Sequence, residues 1–247
     1  MVAAPDQVTN AAGFPRSQRR WWAFAAVALT YAVVAAWQIE LPGVYMDAVN
    51  PDYLIVKILN PEAQPITAWV LSANYLNNLR LPVLIALYHG SLQFWLGLPL
   101  FWFFGTDVVG LRLTHAVFAV AVLASGFALL TRAGLKPWFA ALACIALALD
   151  PAFSYAFRTQ SYITLAASAW LLFGLATVMR ATAPETSHCY FWWFTGGVLY
   201  GIAIFGYFIY AFFLPAIVYA VGYRVTPLVE ALTLLSNRLK QHRFRHR

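Results

Sequence analysis

Charge is scarce in this chain: only 10% of its 247 residues are Asp, Glu, Lys or Arg, and nine of them are acidic. So few charges cannot cover a water-facing surface, and a content of 62% hydrophobic and 17% aromatic residues lies well outside that of a soluble globular domain. Cysteine is nearly missing as well. Cys144 and Cys189 lie in or beside different apolar runs, with no CxxC spacing and no His/Cys cluster, so neither a disulfide nor a zinc site is expected. No repeat of fixed period is present. The 16 basic residues form no stripe interleaved with aromatics, so the net charge of +7 does not point to nucleic acid.

What is abundant is apolar length. Runs appear at Trp21 to Ile39, Ser91 to Phe104, Leu113 to Leu130, Trp138 to Leu149, Tyr162 to Met179, Phe191 to Phe205 and Tyr207 to Tyr223. Several approach the roughly 20 residues that span a bilayer core, and tryptophan and tyrosine gather near run ends. The pattern predicts an all-α, polytopic transmembrane bundle. The first run follows Arg16, Arg19 and Arg20 as a signal peptide would, yet it is too long and lacks a small-x-small cleavage site, so it reads as a retained anchor.

The basic residues set the expected topology. If all seven runs crossed from a cytoplasmic N-terminus, the 16 Lys and Arg would divide five inside and eleven outside, against the positive-inside rule. Ser91 to Phe104 is short and broken by Gly97 and Pro99. If it lies in the interface or re-enters, about six spans remain, and only Lys57, Arg80, Arg112 and Arg158 fall outside. An inverted arrangement with every run crossing ranks second, because it strands the basic flank of the first helix. The preferred scheme divides the chain into a flexible cytoplasmic tail (1–20), a transmembrane domain (21–223) with a long outer loop (40–112), and a cytoplasmic basic tail (224–247). In that last segment Leu228, Leu232, Leu235 and Leu239 recur at helical spacing, as in an interfacial helix. Both termini are then cytoplasmic and the membrane is expected to be a bacterial inner membrane.

The outer loop opens with "GVYMDAVNPDYLIVK", which holds two of the nine acids. Asn50, Pro51 and Asp52 read as N-cap, first helical residue and dipole-facing acid. The same grammar recurs at Asn60, Pro61 and Glu62, so two short juxtamembrane helices are expected. Asp47 precedes the cap and has no such structural role, which makes it the first functional candidate at the membrane edge.

These features resemble the GT-C superfamily of membrane glycosyltransferases, in particular the family 39 relatives that include protein O-mannosyltransferases and aminoarabinose transferases. The likeness rests on the N-terminal membrane helix, the acidic motif after it, "YHGSLQFWLGLPLFWFFGTDVVGLRL", "LALDPAFSYAFRTQSYITLAA" and "GGVLYGIAIFGYFIYAFFLPAIV". It covers roughly residues 20 to 223. The sequence departs from the family where Asp-Glu becomes Asp47-Ala48 and Pro-Pro becomes Gly90-Ser91, and it reads as a short or truncated member.

The resemblance implies transfer of a sugar from a polyprenyl-phosphate donor to an acceptor at the outer face. Such transfer needs a base for the acceptor hydroxyl and a cation for the departing phosphate. Asp47 is the candidate base, with Asp52 second, and the two acids are also the candidate ligands of a divalent cation. Arg158 is the first candidate for the phosphate because a guanidinium can grip it bidentately; His89, Arg112 and Gln160 follow. The structural alternatives are a snorkelling Arg158 at a helix end and a satisfied interfacial His89. Asp107 reads as helix-start chemistry and Asp150 as a helix terminus. Tyr207, Phe208 and Tyr210 either line a groove for the lipid chain or pack helices. Expected partners are membrane lipids, the polyprenyl-phosphate sugar and, in the alternative reading of a non-catalytic subunit, other membrane proteins. A transporter is disfavoured because the mid-span segments are nearly free of ionisable groups.

Overall fold

The computed structural model describes residues 16–41, 55–56, 59–60, 84–86, 89–159, 162–183, 188–219 and 222. Asp47, Asp52, Gln160, the second juxtamembrane helix and the basic tail lie outside the described residues. The described chain is mostly helical, as its apolar runs dictate. Its helices are α1 (Arg16–Ala36), α2 (Leu92–Phe104), α3 (Val108–Arg132), α4 (Pro137–Leu149), α5 (Pro151–Thr159), α6 (Tyr162–Ala181), α7 (Cys189–Gly206) and α8 (Phe208–Tyr219). The first six residues of α8, Phe208–Phe213, are wound as a 3-10 helix. Ile55, Val56 and Leu59 are also helical, and the Asn60 N–H donates to the Val56 carbonyl at 2.7 Å. Ile55 is fully buried, so this piece of the first juxtamembrane helix is anchored in the core.

Two helices, α3 and α7, are long and apolar enough to cross a membrane. A third span results if α4 and α5, which meet at a 60° bend, count as one. α1 is 21 residues long and is not among these candidates. Its first two turns carry Arg16, Arg19 and Arg20, which dilute its apolar character. The short run at Ser91 to Phe104 forms α2, a 13-residue helix that contains Pro99. Two details differ from the expected all-helical chain. A small antiparallel ladder pairs β1 (Leu84–Ala86) with β2 (His89–Gly90). Gly90 permits the ladder to lie against α7, because a Cβ there would collide with the Phe205 carbonyl oxygen. The second is that Pro151–Thr159, which falls between the apolar runs, forms the helix α5.

The bundle mixes parallel and antiparallel neighbours. α7 packs most extensively on α6, α6 on α3, and α1 on α4. Phe24 near the start of α1 meets Phe127 near the close of α3, with ring centroids 5.7 Å apart. At the opposite end Arg112, near the start of α3, reaches the chain just beyond α1. α1 and α3 therefore run antiparallel. Gly174 of α6 and Gly196 of α7 let those helices approach closely: a Cβ on Gly196 would stand 2.6 Å from Val178 Cγ2 and 3.2 Å from the Gly174 carbonyl oxygen. The buried core is aliphatic and aromatic, with Phe94, Phe101, Leu123 and Val27 almost fully enclosed.

Candidate functional site

A helix leaves its last carbonyls without intrahelical donors, and near an apolar medium those groups must find partners. α1 ends at Ala36, and Gln38 turns the chain with a left-handed φ of 46°. Two arginines far away in sequence supply the donors. Arg158 Nη2 donates to the carbonyls of Val34 at 2.6 Å, Ala35 at 3.0 Å and Trp37 at 2.6 Å, while its Nη1 reaches Leu41 at 3.3 Å. Arg112 Nη1 donates to Ile39 at 3.0 Å and Leu41 at 2.7 Å. The Leu41 carbonyl oxygen thus receives a bond from each guanidinium. Two cations at a helix C-terminus complement the negative end of its dipole.

Local structure explains why both arrive there. Asp107 caps α3, its Oδ1 accepting from the Gly110 N–H at 2.7 Å, as helix-start chemistry predicts. One turn later Arg112 points into the bundle and is only 3% exposed. Asp150 ends α4, and its Oδ1 accepts from the Ala152 N–H at 2.7 Å, which starts α5 at Pro151. α5 then lays Phe153 against Tyr31 of α1, with centroids 5.8 Å apart, and Phe157 into the core. His115 fixes the end of this helix. Its Nδ1 lies 3.0 Å from the Phe157 carbonyl oxygen, and since the carbonyl can only accept, Nδ1 carries the proton.

Comparison with known proteins found no matching family model, no matching curated protein and no matching solved structure.

Beside this junction lies an open groove of about 460 Å³, lined by Val33, Val34 and Trp37 of the α1 end and by Pro151, Ser154, Tyr155 and Arg158 of α5. Among the described residues its walls are almost wholly apolar, and Arg158 is its one charged liner. Tyr207, Phe208 and Tyr210, the candidates for a lipid-chain groove or for helix packing, make contacts with one another and with their neighbours. Tyr207 and Tyr210 stack on each other's edges at 6.2 Å and are half-buried, and Phe208 is exposed and pairs with Phe212. Tyr200 Oη donates to the carbonyls of Tyr210 at 3.0 Å and Ala211 at 3.3 Å, which anchors this turn.

His89 belongs to that second cluster, its ring 4.7 Å from the Tyr207 ring. Burial pushes its imidazole down from 6.5 to about 4. At neutral pH it is therefore an uncharged hydrogen-bonding group, which limits it as a phosphate clamp. The remaining candidates, Asp47, Asp52 and Gln160, lie outside the described residues. No group of three His, Cys, Asp or Glu side chains stands together among the described residues. Sequence reasoning missed His115 and the fully buried Thr114 and Gln93. The available signal was the three-residue spacing from Arg112 to His115, which puts both on one face of α3.

Proposed function

We propose that the chain is a membrane glycosyltransferase-like protein that moves a sugar from a polyprenyl-phosphate donor to an acceptor hydroxyl at the outer membrane face. One observation carries this reading: Arg112 and Arg158 converge on the Leu41 carbonyl, six residues before Asp47 and beside an apolar groove. The GT-C-like motifs of the sequence supply the reaction class. In the proposed chemistry Asp47 takes the proton of the acceptor hydroxyl as its oxygen attacks the anomeric carbon. The bond from that carbon to the phosphate oxygen breaks, and the guanidinium pair receives the phosphate's charge. Asp47 and Asp52, the candidate ligands of a divalent cation, lie outside the described residues, and the steps above are written for the side chains alone. The wider frame, also proposed, is about six spans in a bacterial inner membrane with both termini cytoplasmic.

The test is transfer by the purified full chain from a polyprenyl-phosphate sugar. Asp47→Asn is expected to lower the rate by at least 10²-fold, within the usual contribution of general-base catalysis, with expression unchanged. Unaltered transfer removes Asp47 from the reaction.

A specific observation favours a second reading. The donors of Arg158 are already engaged by four α1-end carbonyls, the role of a structural staple. On this reading the chain is a non-catalytic subunit of GT-C descent. It would then leave mild detergent bound to other membrane chains, and Asp47→Asn would leave that assembly intact.

A further inference from the structure

The end of the bundle opposite Leu41 has a different character. Five helix termini gather there: the starts of α1, α4 and α7 and the closes of α3 and α6. Phe24 on Phe127 joins the first to the third helix, and Arg180 near the close of α6 lies 3.8 Å over the Trp192 ring of α7. Arg20 and Arg180 stand close enough to Arg132 for their charges to act on it. All three guanidinium-bearing residues are exposed, as is Lys136 four residues beyond Arg132.

The described acids are confined to one end of the bundle, where Arg112 and Arg158 also stand, whereas the described charges at the other end are all basic. The described carboxylates, Glu40, Asp107 and Asp150, all stand at the Leu41 end, in the exit turn of α1, at the cap of α3 and at the close of α4. Arg132 and Arg180 sit in the last turns of their helices, where the dipole favours them. Arg20 is at the positive end of α1, whose first turn holds no acid, so a bound anion there offsets a repulsion that the helix itself leaves standing. Around these cations stand exposed Trp21, Trp22, Trp138, Phe139, Tyr190 and Phe191. Aromatic rings of this kind settle at the headgroup level of a bilayer. From Arg112 to Arg132 along α3 is about 30 Å at 1.5 Å per residue, the thickness of a hydrocarbon core.

We infer that the Arg20, Arg132 and Arg180 end captures anionic phospholipid headgroups, the guanidiniums holding headgroup phosphates and the aromatic collar meeting the upper acyl chains. A guanidinium fork matches phosphate oxygens, and a free phosphate would leave the collar without an occupant. Capture here is independent of any transfer chemistry at the Leu41 end.

Native mass spectrometry of the detergent-purified full chain, offered equal phosphatidylglycerol and phosphatidylcholine, tests it. The unaltered chain should retain phosphatidylglycerol preferentially, and less of it as salt rises. Arg20→Gln, Arg132→Gln and Arg180→Gln together should weaken retention roughly 10²-fold, about fivefold for each basic residue lost at the surface. The corresponding triple Lys variant should keep most of the preference. Equal retention of both lipids by the unaltered chain, or an unchanged preference in the triple Gln variant, overturns the inference. Displacement of the lipid by excess inorganic phosphate overturns it too, by showing a site for the free ion. If the triple Gln variant loses its helical circular dichroism, Arg132→Gln alone and the salt titration decide in the same directions.

Discussion

At the residue scale, the guanidiniums of Arg112 and Arg158 show how one side chain serves structure and invites chemistry at once. Charge-assisted bonds to carbonyls are worth on the order of 1.5–3 kcal/mol each when buried and less when solvent screens them. Arg112 is enclosed and Arg158 is half-exposed. Arg112→Leu is therefore expected to lower the thermal midpoint in detergent more than Arg158→Gln does. An equal or reversed order would show that the α1 terminus is not held from α3. His89 adds a pH test. Its folded-state pKa is about 4, below the ordinary 6.5, so between those values the unfolded chain binds a proton that the folded chain refuses. Stability should fall as pH drops from about 6.5 towards 4, and His89→Gln should flatten that decline in a denaturation series. A slope untouched by His89→Gln would assign the pH response to other groups.

Elements meet here through small residues and caps. Gly196 faces Val178 and the Gly174 backbone, whereas Gly197 and Gly201 on the same helix have open space where a Cβ would go. Gly197→Ala should be neutral or stabilising by up to about 1 kcal/mol, the helix-propensity gain, while Gly196→Val should separate α6 from α7 and destabilise the chain. Matching effects at both positions in unfolding experiments would contradict the close approach of these helices. The caps at Asp107 and Asp150 were legible from Thr106-Asp107 and Asp150-Pro151, because capping chemistry is local. The helix α5 was hidden for the opposite reason. Its nine residues are too short to show a reliable period, and its place is fixed by Phe153, Phe157 and the bond from His115.

For the whole molecule the separated ends make the decisive prediction. With Cys144 and Cys189 replaced by serine, single cysteines introduced at Arg20 and at Lys136 should be labelled from one side of a sealed membrane. Those introduced at Glu40 and at Asp107 should be labelled from the other. Labelling of Arg20 and Glu40 positions from the same side would show that the bundle does not stand across the membrane along α1. This experiment is separate from the activity test, so a failed transfer assay leaves the orientation intact.

The sequence alone determined that the chain is helical and apolar enough for a membrane, where most helices lie, and which acids begin or end them. Those properties depend on residues within a turn or two of each other, and on the energetic cost of leaving backbone groups unpaired in lipid. Only the tertiary structure decided that Arg112 and Arg158, 46 positions apart, share the Leu41 carbonyl, that His89 lies against Tyr207, and that Arg20, Arg132 and Arg180 gather at one end. Each of these pairings arises from how helices of particular lengths and directions bring distant termini to the same level, which no local pattern encodes.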